Sequence, residues 1–136
     1  MLSVSLSFAQ KQDANSAEHR FYCEVKCYEK GVKSNDKVIL EFGKDVWNYP
    51  NRKVKFVDEN GKVIKFKSMV DAANFLYERG WVLDKAYSSS YSGSKSIKHW
   101  VFYKDANEYE DVKEGLVTQK EYREMKREEK AIESQE

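Results

Sequence analysis

His19, Cys23 and Cys27 stand at four-residue intervals in HRFYCEVKC, the residue types and spacing in this chain that come nearest to a metal site. On a helix that spacing aligns three ligands on one face. Their neighbours oppose a helix, because Phe21, Tyr22, Val25 and Tyr28 favour a strand. On a strand the two cysteines share a face about 13 Å apart, too far to bridge without a bulge or turn. Buried or half-buried strand thiols are the preferred reading, ahead of a disulfide and ahead of a metal site. His99 with Ser88–Ser90 raises nucleophilic catalysis across a hairpin. Those serines, however, lie in SSSYSGSKS, which reads as a polar loop, and alternation with Trp100 puts His99 on the exposed sheet face.

Glu108, Glu110 and Asp111 read as a helix start favoured by the dipole rather than as an acid/base pair. The chain has no Gly-rich phosphate loop, no HExxH and no G-x-S-x-G elbow. No catalytic residue, metal or cofactor is assigned on these grounds, and the expectation is a non-enzymatic protein. Binding is the better candidate. Lys53, Lys55, Lys65 and Lys67 cluster in one hairpin, while Tyr87, Tyr91, Lys95, Lys98, His99 and Tyr103 lie in or near another. Basic and aromatic mixtures of this kind hold single-stranded nucleic acid or anionic glycans. The plain alternative is that lysines keep exposed strands soluble and discourage edge pairing.

The elements that must position these residues read as follows. A strand over about 19–29 places Phe21, Cys23, Val25 and Cys27 on one face, and a turn falls at Gly31 and Ser34–Asp36. Val38, Leu40 and Phe42 alternate in a second strand; the stretch from Gly43 to Asn51, with the chain's one proline, Pro50, is irregular. KVKFVD and KVIKFK flank Glu59-Asn60-Gly61 as a hairpin. A three-residue loop with Gly61 left-handed pairs Phe56 with Ile64 and Val54 with Phe66, which keeps the faces cleaner than a two-residue turn. Ser68 and Asp71 form a capping box for a helix over about 69–79 ended by Gly80. Strands Trp81–Tyr87 and Ile97–Lys104 follow, separated by the polar run 88–96. The expected fold is α+β, an antiparallel sheet of about six strands with one short helix on a face, in the order ββββαββ. A charged C-terminal helix, capped by Thr118 and Glu121 and running to about 133, completes it.

Length and charge frame this reading. A chain of 136 residues makes one ordinary domain, and 14% aromatic content argues for a packed core. The net charge of +1 implies no bulk attraction to nucleic acid, yet it hides +5 in residues 1–103 and −4 beyond. Residues 1–9 (MLSVSLSFA) read as the end of a signal peptide and 10–18 as a flexible leader. Residues 19–104 then form the α+β domain and 105–136 a charged helical tail. Residues 1–9 are far too short for a transmembrane span.

Two resemblances accompany this reading. FLYERGWVLDKAY followed by HWVFYK, with Gly80, Trp81 and Leu83, resembles a family of small bacterial domains of unknown function marked by a helix, Gly-Trp-x-Leu and a hairpin. Val82 stands where that family carries Glu, and the resemblance implies no catalytic residues. GLVTQKEYREMK, with Gly115, Thr118, Glu121, Tyr122 and Lys126, resembles a short C-terminal helical module that mediates oligomerisation. Arg127, Glu128 and Glu129 stand where that module ends in leucines. Ala9-Gln10 is similar to the signal ends of exported Bacteroidetes-type proteins. Together these imply a small exported protein, periplasmic or secreted, that binds a protein or anionic ligand and forms a homo-oligomer through its C-terminal helix. The alternative is a nucleic-acid-binding module using the lysine-rich hairpin, which export disfavours. An uncharacterised enzyme ranks third.

Overall fold

The computed structural model describes residues 19–29, 37–43, 54–93 and 95–135. Among them, β1 (His19–Tyr28), β2 (Lys37–Glu41), β3 (Val82–Ser92) and β4 (Lys95–Ala106) form one antiparallel sheet in the order β2-β1-β4-β3. Three helices accompany it: α1 (Met69–Tyr77), α2 (Tyr109–Val112) and α3 (Gln119–Gln135). The expectation of six strands in the order ββββαββ is thus corrected to four strands in one sheet with three helices. The expected signal segment and leader at 1–18, the turn at Gly31 and Ser34–Asp36, the irregular segment beyond Gly43 and Lys53 lie outside the described residues.

The lost strands are the arms of the 54–67 hairpin, and their backbone explains the loss. The expected register is present: Ile64 donates its N–H to the Phe56 carbonyl at 2.9 Å, and Asp58 donates to Lys62 at 2.9 Å. Gly61 is left-handed at φ +81°, and the Asp58 carboxylate accepts from the N–H groups of Asn60 and Lys62. The outer arm, however, turns to the chain beyond α2. Val57 donates to Val117 at 2.9 Å and Gln119 donates to Lys55 at 2.8 Å. Each side of residues 55–57 therefore makes one isolated bridge, Val57 to Val63 and Phe56 to Thr118, and no ladder.

The second correction concerns the polar run 88–96. β3 extends through Ser92 and β4 starts at Lys95, so the serines are strand residues paired as Ser88 to Lys98, Ser89 to Ile97 and Ser90 to Ser96. β3 lies at the sheet edge, where polar side chains keep a strand soluble while its backbone pairs inward.

Alternation divides the sheet. On one face Cys23, Val25 and Cys27 of β1 are buried with Leu40 of β2 and Phe102 of β4. α1 lies across this face against β1, β2 and β3, contributing Met69, Ala72, Phe75 and Leu76. Ser68 caps it by accepting from the Asp71 N–H at 3.1 Å, while Asp71 accepts from Lys67 at 3.0 Å. Gly80, at φ +90°, ends it: Trp81 donates to Leu76 and Gly80 to Tyr77, the paired bonds of a Schellman closure. Phe42 packs edge-on to both Phe56 and Trp81, at 5.6 and 5.4 Å between ring centres. Phe56 and Phe66 of the hairpin reach Phe75. Ala106, Val112 and Leu116 join the same core. Cys23 and Cys27 are buried in it without a disulfide, and burial pushes the Cys23 thiol well up.

Candidate functional site

Among the described residues no helix covers the other face of the sheet, and polar groups converge there. On β1, alternation turns Arg20, Tyr22, Glu24 and Lys26 away from the buried cysteines. The ten-residue register with β4 sets His99 opposite Lys26 and Val101 opposite Glu24. The hairpin register sets Tyr87 opposite His99. Three strands thus deliver Glu24, Tyr87, Ser89 and His99 to one spot.

His99 is the centre of this group. Its Nδ1 meets the Glu24 carboxylate, and its Nε2 lies 2.8 Å from the Ser89 hydroxyl. The Tyr87 ring stacks flat on the imidazole, 4.3 Å between centres and 5° from parallel. The Tyr87 hydroxyl donates to the same Glu24 oxygen at 3.3 Å. His99 is only 8% exposed, although no described helix or strand packs over this face. Desolvation, and then the Glu24 carboxylate, holds the Tyr87 phenol above its ordinary range.

Glu24 stands directly across from Glu41 of β2, an unfavourable juxtaposition of like charges. Each carboxylate has its own partner: Lys26 pairs with Glu41 at 2.5 Å, and His99 with Glu24. The Glu41 hydrogen bond raises the Lys26 ammonium. At the far end of the face Arg20 grips Asp105 through two bonds of 2.8 and 3.1 Å and covers the Tyr103 ring at 4.0 Å.

Of the ten residues singled out from sequence, Tyr87, His99 and Tyr103 share this face, with Tyr87 and His99 in contact. Lys98 sits opposite Cys27 on the other side of β4 and pairs with Glu29 at 3.6 Å. Lys95 is exposed at the start of β4. Lys55, Lys65 and Lys67 are exposed on the 54–67 hairpin, whose apolar side chains join the helix-side core, so the structure does not gather these lysines with the tyrosines. Tyr91 lies on β3, its side chain outside the described residues, as is Lys53. His99 was expected on an exposed face. It does lie on the face without a helix, but its partners bury it.

Ser89, weighed with His99 as one of Ser88–Ser90, was set aside as a loop residue, and Glu24 was missed. The polar alternation in FYCEVKC does place Glu24 opposite the cysteines, but its partner lies 75 residues away, beyond any local pattern. Among the described residues no group of three or more His, Cys, Asp or Glu is placed to hold a metal ion.

A second region stands apart. α3 begins in a complete capping box: Thr118 accepts from the Glu121 N–H at 3.1 Å, and Glu121 accepts from the Thr118 N–H and hydroxyl. Thr118 is buried, and the Tyr122 ring lies over Gly61, where an added Cβ would come within 2.3 Å of it. Beyond that clamp no α3 residue is buried; Met125 and Ile132 are 47% and 61% exposed. Tyr122, Arg123, Lys126, Arg127 and Lys130 line a shallow groove of about 380 Å³ along it. No described helix is long and apolar enough to cross a membrane.

No protein-family model matches the chain, and no curated protein matches it.

Proposed function

We propose that the protein is an exported binding module that associates with a second copy of itself through α3. The observation that carries this reading is the bare helix. Seventeen residues extend roughly 25 Å with none buried, whereas most helical stability in proteins comes from packing of an apolar face. Tyr122, Met125 and Ile132 lie on one side of it at three- and seven-residue spacing. Its charge is also divided. Residues 119–127 carry a net +2 and residues 128–135 a net −2. Two copies packed antiparallel place the basic half of each on the acidic half of the other and cover both apolar stripes. The cationic groove makes an anionic ligand or an acidic protein the competing occupant.

Sedimentation equilibrium of the full chain against M125E/I132E tests this reading. The full chain should associate at micromolar concentration and dissociate as salt is raised, while the double variant stays monomeric. Equal association states sink it. The comparison uses substitutions rather than truncation at Lys104, because Ala106, Val112 and Leu116 belong to the core.

A further inference from the structure

We propose that Ser89 is a nucleophile for acyl transfer, with His99 as its general base and Glu24 as the residue that positions His99. The assignment goes beyond self-association and does not depend on it. A carboxylate only accepts hydrogen bonds, so the Glu24 contact assigns the proton to Nδ1 of His99. Nε2 is then left with a lone pair, and at 2.8 Å it accepts from the Ser89 hydroxyl. The order nucleophile, base and orienting carboxylate is the arrangement that makes a serine hydroxyl reactive.

The surroundings hold this geometry. Tyr87 is stacked on the imidazole and hydrogen-bonded to Glu24, so one side chain fixes both the base and its carboxylate. His99 is buried, which strengthens its polar contacts, whereas Ser89 on the edge strand is only half-buried and remains open to an incoming ester. An edge strand presents alternate backbone N–H groups without a strand partner, and these are donors for a developing oxyanion. Tyr87 is 49% exposed, so its ring offers a platform for an aromatic group. Aryl esters of small acids are the substrate class that fits.

In the reaction, the Ser89 oxygen bonds to the acyl carbon and its proton passes to Nε2. The resulting imidazolium is held by Glu24. The bond from acyl carbon to aryl oxygen breaks, and the phenol leaves with the Nε2 proton. Water then repeats the sequence: it loses a proton to Nε2, adds to the acyl carbon, and releases the carboxylic acid as Ser89 recovers its hydrogen.

The test exposes the full chain to an alkyl fluorophosphonate and maps the adduct by tandem mass spectrometry. The serine oxygen displaces fluoride, so the expected product is one phosphonyl group on Ser89. Labelling should vanish in S89A and slow at least tenfold in E24Q, with near-UV circular dichroism confirming native packing. Steady-state hydrolysis of 4-nitrophenyl acetate should fall at least tenfold in S89A. Mapping on the unsubstituted chain keeps the result independent of whether a variant folds. No adduct, an adduct on another hydroxyl, or an unchanged rate in a folded E24Q overturns the assignment.

Discussion

The two faces of this sheet are made from the same four strands by alternation, yet they are held together by different physics. The helix-side face is closed by α1 and the 54–67 hairpin, and its buried residues are aromatic, aliphatic or sulfur-bearing. The opposite face, among the described residues, is closed by its own side chains, through the Glu24–His99–Ser89 chain, the stacked Tyr87 and the Arg20–Asp105 pair. Apolar burial is non-directional and tolerates many sequences, so it stabilises without defining chemistry. A polar cluster demands partners in set positions, and so defines a geometry that apolar packing does not.

The contrast predicts a graded series of effects. The largest belongs to Leu76, a residue of α1 that is completely buried against the sheet. Leu76→Ala should cost about 2–5 kcal/mol in denaturant unfolding. Tyr87→Ala, on the open face, should cost distinctly less; equal losses would erase the distinction between the faces.

The next effect tests the clamp between hairpin and tail. Gly61 is left-handed and its missing Cβ is the space occupied by the Tyr122 ring. Gly61→Ala should cost about 1–3 kcal/mol from backbone strain and overpacking. In a Tyr122→Ala background the steric part should disappear, so a double-mutant cycle should show coupling between the two positions. Additive losses would mean that the ring does not rest there.

Thr118→Ala follows, at about 1–2 kcal/mol, because it removes a buried hydroxyl and the cap of α3 together. Helical ellipticity should fall with it. If stability is lost while helicity stays intact, the capping role is refuted and only the buried contact remains.

The smallest effect is expected at Arg20. The pair with Asp105 is exposed, so Arg20→Met should leave the thermal midpoint nearly unchanged at neutral pH. The Arg20 guanidinium holds the Asp105 carboxyl below the usual range. A depressed carboxylate stabilises the fold above the ordinary carboxylate range and loses that contribution as pH falls through its folded value. An NMR titration should show the Asp105 midpoint rising in the variant. An unmoved midpoint would show that the pair does not form in solution.

Legibility followed locality. β1 and β2, α1 with its Ser68 start and Gly80 end, the Gly61 loop and the Thr118–Glu121 box were readable, because each rests on contacts within a few residues. The strand nature of Ser88–Ser92 was not readable, since polar serines at a sheet edge and in a loop look alike until β4 supplies the hydrogen bonds. Lys55 and Lys65 looked like part of a strand for the opposite reason. Their local pattern alternates well, but the backbone between them and Thr118 is shared by two partners. Of the candidate site, Tyr87, His99 and, within Ser88–Ser90, Ser89 were visible as residues, and Glu24 was not.

The sequence alone determined alternation on β1, which sends Cys23 and Val25 to one face and Glu24 and Lys26 to the other. It also determined the helix termini, because caps are made by side chains next to the backbone they satisfy. Only tertiary structure decided that Glu24 meets His99 and that His99 meets Ser89. Those contacts depend on the β1–β4 and β3–β4 registers together, and a shift of one residue in either would turn the partners to opposite faces.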